Sequence, residues 1–182
     1  MINRRKALIC ICGFGIAGLP HSVRAKPLLS SIPIKQHEAG MRAAIAMATQ
    51  NPAYPFGAVI THANSGKILA QGVNQTFQNP VLHGEMVCIN NYVSQQGNRN
   101  WGDCILYTTG EPCPMCMSAL VWCGIGGVVF GSSAQTIKQS GIDIFSFSSQ
   151  DINRGSNFSS TQLLGGILES ECNSLFIRRP RS

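Results

Sequence analysis

The sequence predicts an α/β fold, in which helices cover both faces of a mixed sheet. Apolar, strand-like segments alternate with helical segments along 182 residues, a length that suits a single domain with a sizeable core. A turn at residues 64–67 joins the first two strand segments into an antiparallel hairpin. Helices separate the later strands, as in strand–helix–strand units. A hairpin followed by such units predicts a mixed sheet.

Local patterns predict the individual elements. Asn51 and Pro52 end the first helix, and Pro112 suits the first turn of another, where its missing N–H has no partner. The run at residues 104–108 is continuously apolar, as in strands buried on both faces. Residues 145–158 show no clear period and are interpreted as short strand pieces. Helices are expected at residues 35–50, 82–95, 112–123, 133–139 and 161–178, and strands at residues 56–61, 68–73, 104–108 and 128–130.

The net charge of +6 is concentrated at the two ends of the chain. Four of the 14 Lys and Arg residues lie in the first 25 positions and three in the last five, which leaves seven basic residues against eight acidic ones. The body is therefore nearly neutral and has no basic stripe of the kind that follows a phosphate backbone. This distribution argues against nucleic acid as a partner, although it does not exclude tRNA, and favours a small substrate.

The first 25 residues have the pattern of an export signal peptide. A basic segment at residues 3–6 precedes an apolar segment at residues 7–19, and residues 23–25 fit a small-x-small cleavage site. The apolar segment is shorter than the roughly 20 residues of a membrane span, so no stable span is expected. The paired Arg4 and Arg5 favour the twin-arginine route, with a Sec leader or a short retained anchor as the alternative. The expected organisation is a cleaved leader at residues 1–25, a linker at 26–34 and one domain at 35–182, exported to the periplasm or secreted.

Two short motifs carry the chemistry: His-Gly-Glu at residues 83–85 and Pro-Cys-Pro-Met-Cys at residues 112–116. One imidazole and two thiolates (His83, Cys113 and Cys116) suit a tetrahedral Zn²⁺ ion, and three protein ligands leave one position open, as in catalytic zinc sites. Both motifs lie at predicted helix starts that follow strands of one sheet, so we expect them to converge at one sheet edge. Glu85, two residues from the His83 ligand, is the predicted catalytic residue because it can move protons there.

Other interpretations of the cysteines stay open. A Cys-x-x-Cys pair also occurs in redox sites, although a redox pair does not need His83. A structural zinc site takes a fourth protein ligand, which Cys88, Cys104 or Cys123 could supply. These three residues and Cys172 lie in apolar segments, so we expect mostly free thiols in the core rather than a disulfide framework.

The chain resembles the cytidine deaminase-like superfamily of zinc deaminases, whose signature is His-x-Glu followed by Pro-Cys-x-x-Cys. It looks most similar to the branch of bacterial guanine deaminases, plant guanosine deaminases and tRNA adenosine deaminases, over about residues 35–141. The resemblance implies a three-layer αβα sandwich with a mixed five-stranded sheet, a bound Zn²⁺, a homodimer and a deaminase domain at residues 35–182. The matching residues are Pro55-Phe56-Gly57-Ala58-Val59-Ile60, Asn74, His83-Gly84-Glu85, Glu111-Pro112-Cys113-Pro114-Met115-Cys116 and Val128-Val129-Phe130-Gly131.

The resemblance also implies which residues contact the substrate. Asn74 matches the family's base-reading asparagine, and the backbone groups of Gly84 and Cys113 are expected at the base edge. Phe56 is expected either to line the base pocket or to pack in the core. His62 either faces the pocket or lies on the surface, and His37 is expected on the surface.

Three departures from the family pattern stand out. Gly84 replaces the alanine that is common in its motif, and Gly110 is unusual before Glu111. The C-terminal segment lacks the aromatic end with which guanine deaminases close their pocket, which argues against guanine itself.

The leading hypothesis is a zinc hydrolase that releases ammonia from a nucleobase or nucleoside, with a guanine- or guanosine-like purine favoured. The first alternative is a tRNA-specific adenosine deaminase, which fits the neutral body and the leader less well. The second is a non-catalytic zinc-binding module. Metal analysis together with spectroscopy that shows four protein ligands and no water would support that module.

Overall fold

The computed structural model describes residues 29–157 and 161–180. The predicted leader and the first three residues of the predicted linker lie outside these ranges. Within them, no helix has both the length and the apolar character needed to cross a membrane. The second part of the linker is packed rather than free: Leu29–Ser31 form a short 3₁₀ helix, and the Leu29 side chain is buried in the core. The folded unit therefore begins before residue 35.

A five-stranded sheet forms the centre of the molecule, in the order β2-β1-β3-β4-β5. β1 pairs antiparallel with both β2 and β3, whereas β3 with β4 and β4 with β5 are parallel. The prediction of a mixed five-stranded sheet is confirmed. The strands are β1 (Gly57–His62), β2 (Ile68–Val73), β3 (Cys104–Gly110), β4 (Gly127–Ser132) and β5 (Gln162–Gly165), and the helices are α1 (Ile34–Ala48), α2 (Gly84–Gln96), α3 (Pro114–Cys123), α4 (Ala134–Gln139), α5 (Ser149–Arg154) and α6 (Glu169–Ile177).

Helices cover both faces of the sheet, which confirms the three-layer αβα sandwich. Alternate strand residues point to opposite faces, so Ile60 and Val59 belong to different core clusters. The Ile60 cluster includes Cys88 of α2 and Leu120 of α3. The cluster on the other face includes Met41 of α1 and Cys172 of α6, among other residues. Burial on both sides explains why β3 has no polar alternation.

The predicted closing helix at residues 161–178 is wrong in its first half. Gln162–Gly165 form β5, which lies parallel to β4 with Leu163 opposite Val128, and α6 begins only at Glu169. Leucines at 163, 164, 167 and 168 fit a helical face, but the free edge of β4 offers main-chain pairing that a local pattern does not reveal. Gly166, with φ of +84°, breaks the chain between strand and helix.

The interpretation of residues 145–158 as strand pieces is also wrong. Residues 149–154 form α5, and the sheet contains no strand from residues 145–157. The helix starts with a capping box: Ser148 accepts from the N–H of Asp151, and the Asp151 carboxylate accepts from the N–H of Ser148. A serine followed three residues later by an acid is a sequence signal for such a helix start.

His37 is buried rather than on the surface, since only 2% of it is exposed. Its Nδ1 lies 3.0 Å from the Tyr107 hydroxyl and its Nε2 lies 3.0 Å from the Leu29 carbonyl oxygen. Two hydrogen bonds satisfy the buried imidazole and fasten the segment before α1 to the sheet. His37 thus has a structural role at the start of the folded unit.

The expectation of free core thiols is confirmed for the four cysteines outside the motifs that the structure describes. Cys88, Cys104 and Cys172 are buried and Cys123 is half-buried, all as free thiols. Burial raises the pKa of Cys172 to about 12 and that of Cys88 still further, so both thiols stay protonated and behave as small apolar side chains.

Candidate metal and substrate site

The two sequence motifs meet at one edge of the sheet, as expected. β2 and β3 are both antiparallel to β1, so they run in the same direction and end at the same edge. α2 starts after β2 and α3 starts after β3. His83 and Cys113 are the N-cap residues of these two helices, both with extended backbone dihedrals. The topology therefore brings together the imidazole and the two thiols.

The side chains of His83, Cys113 and Cys116 form a group with the dimensions of a metal site. Their potential ligand atoms all lie within 4.8 Å of one another, and Cys113 Sγ is 3.6 Å from His83 Nδ1. Tetrahedral zinc, with Zn–S near 2.3 Å and Zn–N near 2.0 Å, separates a sulfur from a nitrogen ligand by about 3.5 Å, close to the distance observed. Over the described ranges, no fourth His, Cys, Asp or Glu joins the group. The donor set therefore fits a three-ligand zinc site and not a closed structural one.

Hydrogen bonding prepares the sulfurs for a cation. The thiol of Cys116 donates to Cys113 and, with a contribution from His83, lowers the pKa of Cys113 to about 4. The same contact raises the pKa of Cys116 far above its usual range, and the hydrogen bond with Cys113 raises the pKa of His83. These opposite shifts favour a thiolate at Cys113 and a protonated thiol at Cys116 when no metal ion is bound. Binding of a metal ion displaces that proton.

Glu85 lies deep in the same site, with 2% of the residue exposed. Its Oε1 accepts a hydrogen bond of 3.2 Å from the Thr108 hydroxyl of β3. Burial, and next the negative charge at Cys113, raise the pKa of Glu85 above its ordinary value. A raised pKa makes this carboxyl group a better proton acceptor than an exposed one, as a proton carrier requires.

A cavity of about 330 Å³ opens onto these groups. This volume lies at the lower end of the roughly 300–1,000 Å³ of small-molecule sites. Among the residues that the structure describes, the lining contains three acids (Glu85, Glu111 and Asp143) and neither Lys nor Arg, and His62 is not part of it. The other lining residues are Tyr54, Phe56, Asn74, Thr76, His83, Pro112, Cys113, Pro114, Ala134, Ile137, Ile142, Ile144, Phe145 and Phe147.

Phe56 both lines the cavity and packs against the core. Its ring centroid lies 5.0 Å from that of the buried Phe176 on α6, with the planes tilted by 58°. The unusual Gly110 makes room for this pair, because a Cβ there would lie 3.1 Å from each ring and 2.8 Å from the methyl group of Ile137. The neighbouring Thr109 hydroxyl donates to the Pro55 carbonyl and so ties the Phe56 segment to β3.

Asn74 lines the cavity from the end of β2 and is 4% exposed. Its Oδ1 accepts from the N–H of Thr76 at 3.1 Å and from the Thr76 hydroxyl at 2.8 Å, which fixes the orientation of the amide. Gly84 also contributes by its lack of a side chain: a Cβ would lie 2.4 Å from the Phe56 carbonyl oxygen. The departure from alanine at this position therefore reflects a close approach of α2 to the Phe56 segment.

Three features of the site escaped the sequence-based predictions. Thr108 holds Glu85, Glu111 contacts the starts of α4 and α5, and residues 142–147 contribute a wall of the cavity. A threonine at the end of a buried strand is a weak signal for a polar contact, and the wall could be found only from the tertiary structure. Glu111 lies beside the cysteine motif, but the sequence pattern indicates no structural role for it.

The chain belongs to the cytidine and deoxycytidylate deaminase family, because the family model for the cytidine and deoxycytidylate deaminase zinc-binding region matches residues 34–132. It is therefore a zinc-dependent deaminase, a hydrolase that acts on the C–N bond of an amino-substituted base.

Within this family, the chain is similar to guanine deaminases and tRNA adenosine deaminases. Guanine deaminase of Bacillus subtilis (strain 168) is 34% identical over 113 residues, which cover 59% of this chain and 71% of that one. The tRNA-specific adenosine deaminase of the same organism is 31% identical over 123 residues, covering 66% and 72%. Guanine deaminase from Nitrosomonas europaea matches in fold with a TM-score of 0.68 at 21% identity, over 78% of this chain and 82% of that one.

Proposed function

We propose that this protein hydrolytically deaminates a small nucleobase or nucleoside, with a guanine- or guanosine-like purine favoured. The observation that carries the proposal is one cavity lined both by the buried Glu85 and by two of the three metal-site residues, His83 and Cys113. This arrangement combines a proton carrier with a site for an activated nucleophile, which is what hydrolysis of an amino-substituted ring carbon needs.

Glu85 carries the protons in the proposed reaction. When bound, Zn²⁺ supplies a nucleophile at neutral pH, because it lowers the pKa of water to about 7. Glu85 accepts the proton of the attacking water and delivers it to the ring nitrogen next to the amino-bearing carbon. It then transfers the second proton to the amino group, which leaves as ammonia while the carbon keeps the oxygen. The Thr108 hydroxyl holds the carboxyl group during both transfers.

The other predicted contacts orient the base. Phe56 offers a ring at the cavity wall, supported by Phe176, against which a flat base can pack. Because Oδ1 of Asn74 is engaged by Thr76, its amide N–H₂ group is the part that donates to an acceptor on the base. The backbone at Gly84 and Cys113 approaches the base edge.

The charges of the cavity support a small, unphosphorylated substrate over tRNA. In the described part of the chain, three acids and no Lys or Arg line the cavity, so the lining offers no cationic side chain to a phosphate group at its mouth. The nearly neutral body of the chain points in the same direction. The tRNA adenosine deaminase relative keeps tRNA as the second candidate.

An ammonia-release screen tests the proposal. The zinc-loaded protein is assayed with guanine, guanosine, adenine, cytosine, cytidine and deacylated tRNA, with boiled protein as the control. We expect turnover of a free base or nucleoside and no tRNA gel shift at 150 mM salt. Release from tRNA alone would support the second candidate. A zinc-loaded protein that is inactive on every compound would contradict the proposed substrate class.

Export and dimer formation are further parts of the proposal. The basic and apolar segments at residues 3–19 support export, and the resemblance to the family supports a homodimer. N-terminal sequencing of the exported protein should begin at Lys26, and sedimentation should give twice the chain mass. A cytoplasmic protein with an uncleaved N-terminus would contradict export, and a monomer would contradict the dimer.

A further inference from the structure

Glu111 connects the metal-binding loop to the two short helices that flank a wall of the cavity. It lies two positions before Cys113, and its backbone N–H donates to the carbonyl of Ser132 at the end of β4. Its Oε2 accepts from the N–H of Ala134 at 2.9 Å, the first residue of α4. Its Oε1 accepts from the N–H and the hydroxyl of Ser149, the first residue of α5, at 3.0 and 2.8 Å. One carboxylate therefore joins three elements.

The wall segment, residues 142–147, lies between these two helices. Five of its six residues line the cavity, all but Ser146. Its two aromatic side chains are mostly solvent-exposed, Phe145 at 68% and Phe147 at 64%, so burial of these rings contributes little to holding the segment in place. The contact with Arg179 at Gly141 is exposed and 3.3 Å long. The position of the segment therefore depends strongly on the helices that Glu111 fastens.

A carboxylate suits this junction better than any other side chain. Three donors converge on its two oxygens, whereas an amide offers one acceptor oxygen and places its N–H₂ group against a donor at the other end. Hydrogen bonds to an ionised acceptor are also about twice as strong as neutral ones. Replacement of Glu111 by Gln preserves the shape but releases one of the two helices.

We propose that Glu111 is a positioning residue for substrate binding, which holds the wall segment at a fixed distance from Cys113 through α4 and α5. This inference rests on the proposed function, because it assumes that the substrate occupies this cavity. Both carboxylate oxygens of Glu111 already accept hydrogen bonds from Ala134 and Ser149, which suits a positioning role and not a catalytic one. Loss of Glu111 should therefore weaken substrate binding more than it slows the chemical step.

The test compares Glu111→Gln with Asp151→Ala as a matched control. Asp151 also stabilises the start of α5, through Ser148, but it does not contact Glu111. For Glu111→Gln we expect unchanged zinc content, a KM raised about 10- to 100-fold with kcat changed less than about threefold, and faster hydrogen exchange at residues 142–147. For Asp151→Ala we expect a lower melting temperature, with KM and the exchange of the wall segment unchanged.

Two results would overturn the inference. The first is a Glu111→Gln protein whose KM and hydrogen exchange of the wall segment stay within about twofold of the native values. The second is an Asp151→Ala protein that shows both effects, because the role of Glu111 would then be only to stabilise a helix. If Glu111→Gln does not fold, Ser149→Ala is tested instead, because it removes one of the three hydrogen bonds to the Glu111 carboxylate. This variant should raise KM and the hydrogen exchange of the wall segment by about threefold, and unchanged values would overturn the inference as well. A native protein inactive on every substrate would sink the proposed function, while the exchange experiment would still test the positioning of the wall.

Discussion

Replacement of Glu85 by Gln should separate activity from stability. The amide keeps the volume of the carboxyl group and can still accept the Thr108 hydrogen bond, but it cannot shuttle protons. General acid–base catalysis contributes about 10²- to 10⁴-fold, so the barrier should rise by about 2.7–5.5 kcal/mol. Glu85 is 2% exposed and burial disfavours its charged form, so an uncharged amide of the same shape removes a desolvation cost. The metal-free variant should therefore unfold at the same or a higher denaturant concentration than the native protein.

The assay measures ammonia release, zinc content and urea unfolding on the same preparations. Glu171→Gln is the matched control, since this exposed glutamate on α6 forms only a surface ion pair of 3.2 Å with Arg42. We expect the control to keep native activity. If Glu85→Gln retains zinc and deaminates within about threefold of the native rate, the role given to this carboxyl group is wrong.

Two further substitutions test the packing beside the cavity and the proposed contact with the base. Gly84→Ala should destabilise the protein by about 1–3 kcal/mol, because the added Cβ would lie 2.4 Å from the Phe56 carbonyl oxygen; an unchanged urea midpoint would contradict the close approach. Asn74→Asp keeps the acceptor for Thr76 but loses the amide donor and adds a fourth acid to the cavity, so KM should rise at least about tenfold, or about 1.4 kcal/mol. Normal circular dichroism with an unchanged KM would remove Asn74 from substrate binding.

Much of the candidate site was predictable because its metal-binding and catalytic residues lie in two short sequence motifs. Cys113 and Cys116 lie at the start of one helix, and His83 lies at the start of another. The strands that precede these helices, β3 and β2, run in the same direction, so the three side chains meet at one edge of the sheet. The helix boundaries around these motifs were predicted to within a few residues, since Pro112 and the apolar period mark them locally.

The elements that were missed depend on contacts between distant parts of the chain. The leucines of β5 fit a helix and a strand equally well, and the choice is made by the free edge of β4. His37 gave no local sign of burial, because its partners, Tyr107 and the Leu29 carbonyl, belong to other elements. The helix α5 was predictable from the sequence alone, since Ser148 and Asp151 form a helix-capping signal.

Zinc titration of the metal-free protein tests the central claim most directly. We expect no ammonia release from the preferred base before addition, a rise in rate with each increment of Zn²⁺, and a plateau at about one ion per chain. A metal-free protein with full activity, or one that binds the ion through four protein ligands and releases no ammonia from any base, would contradict this account.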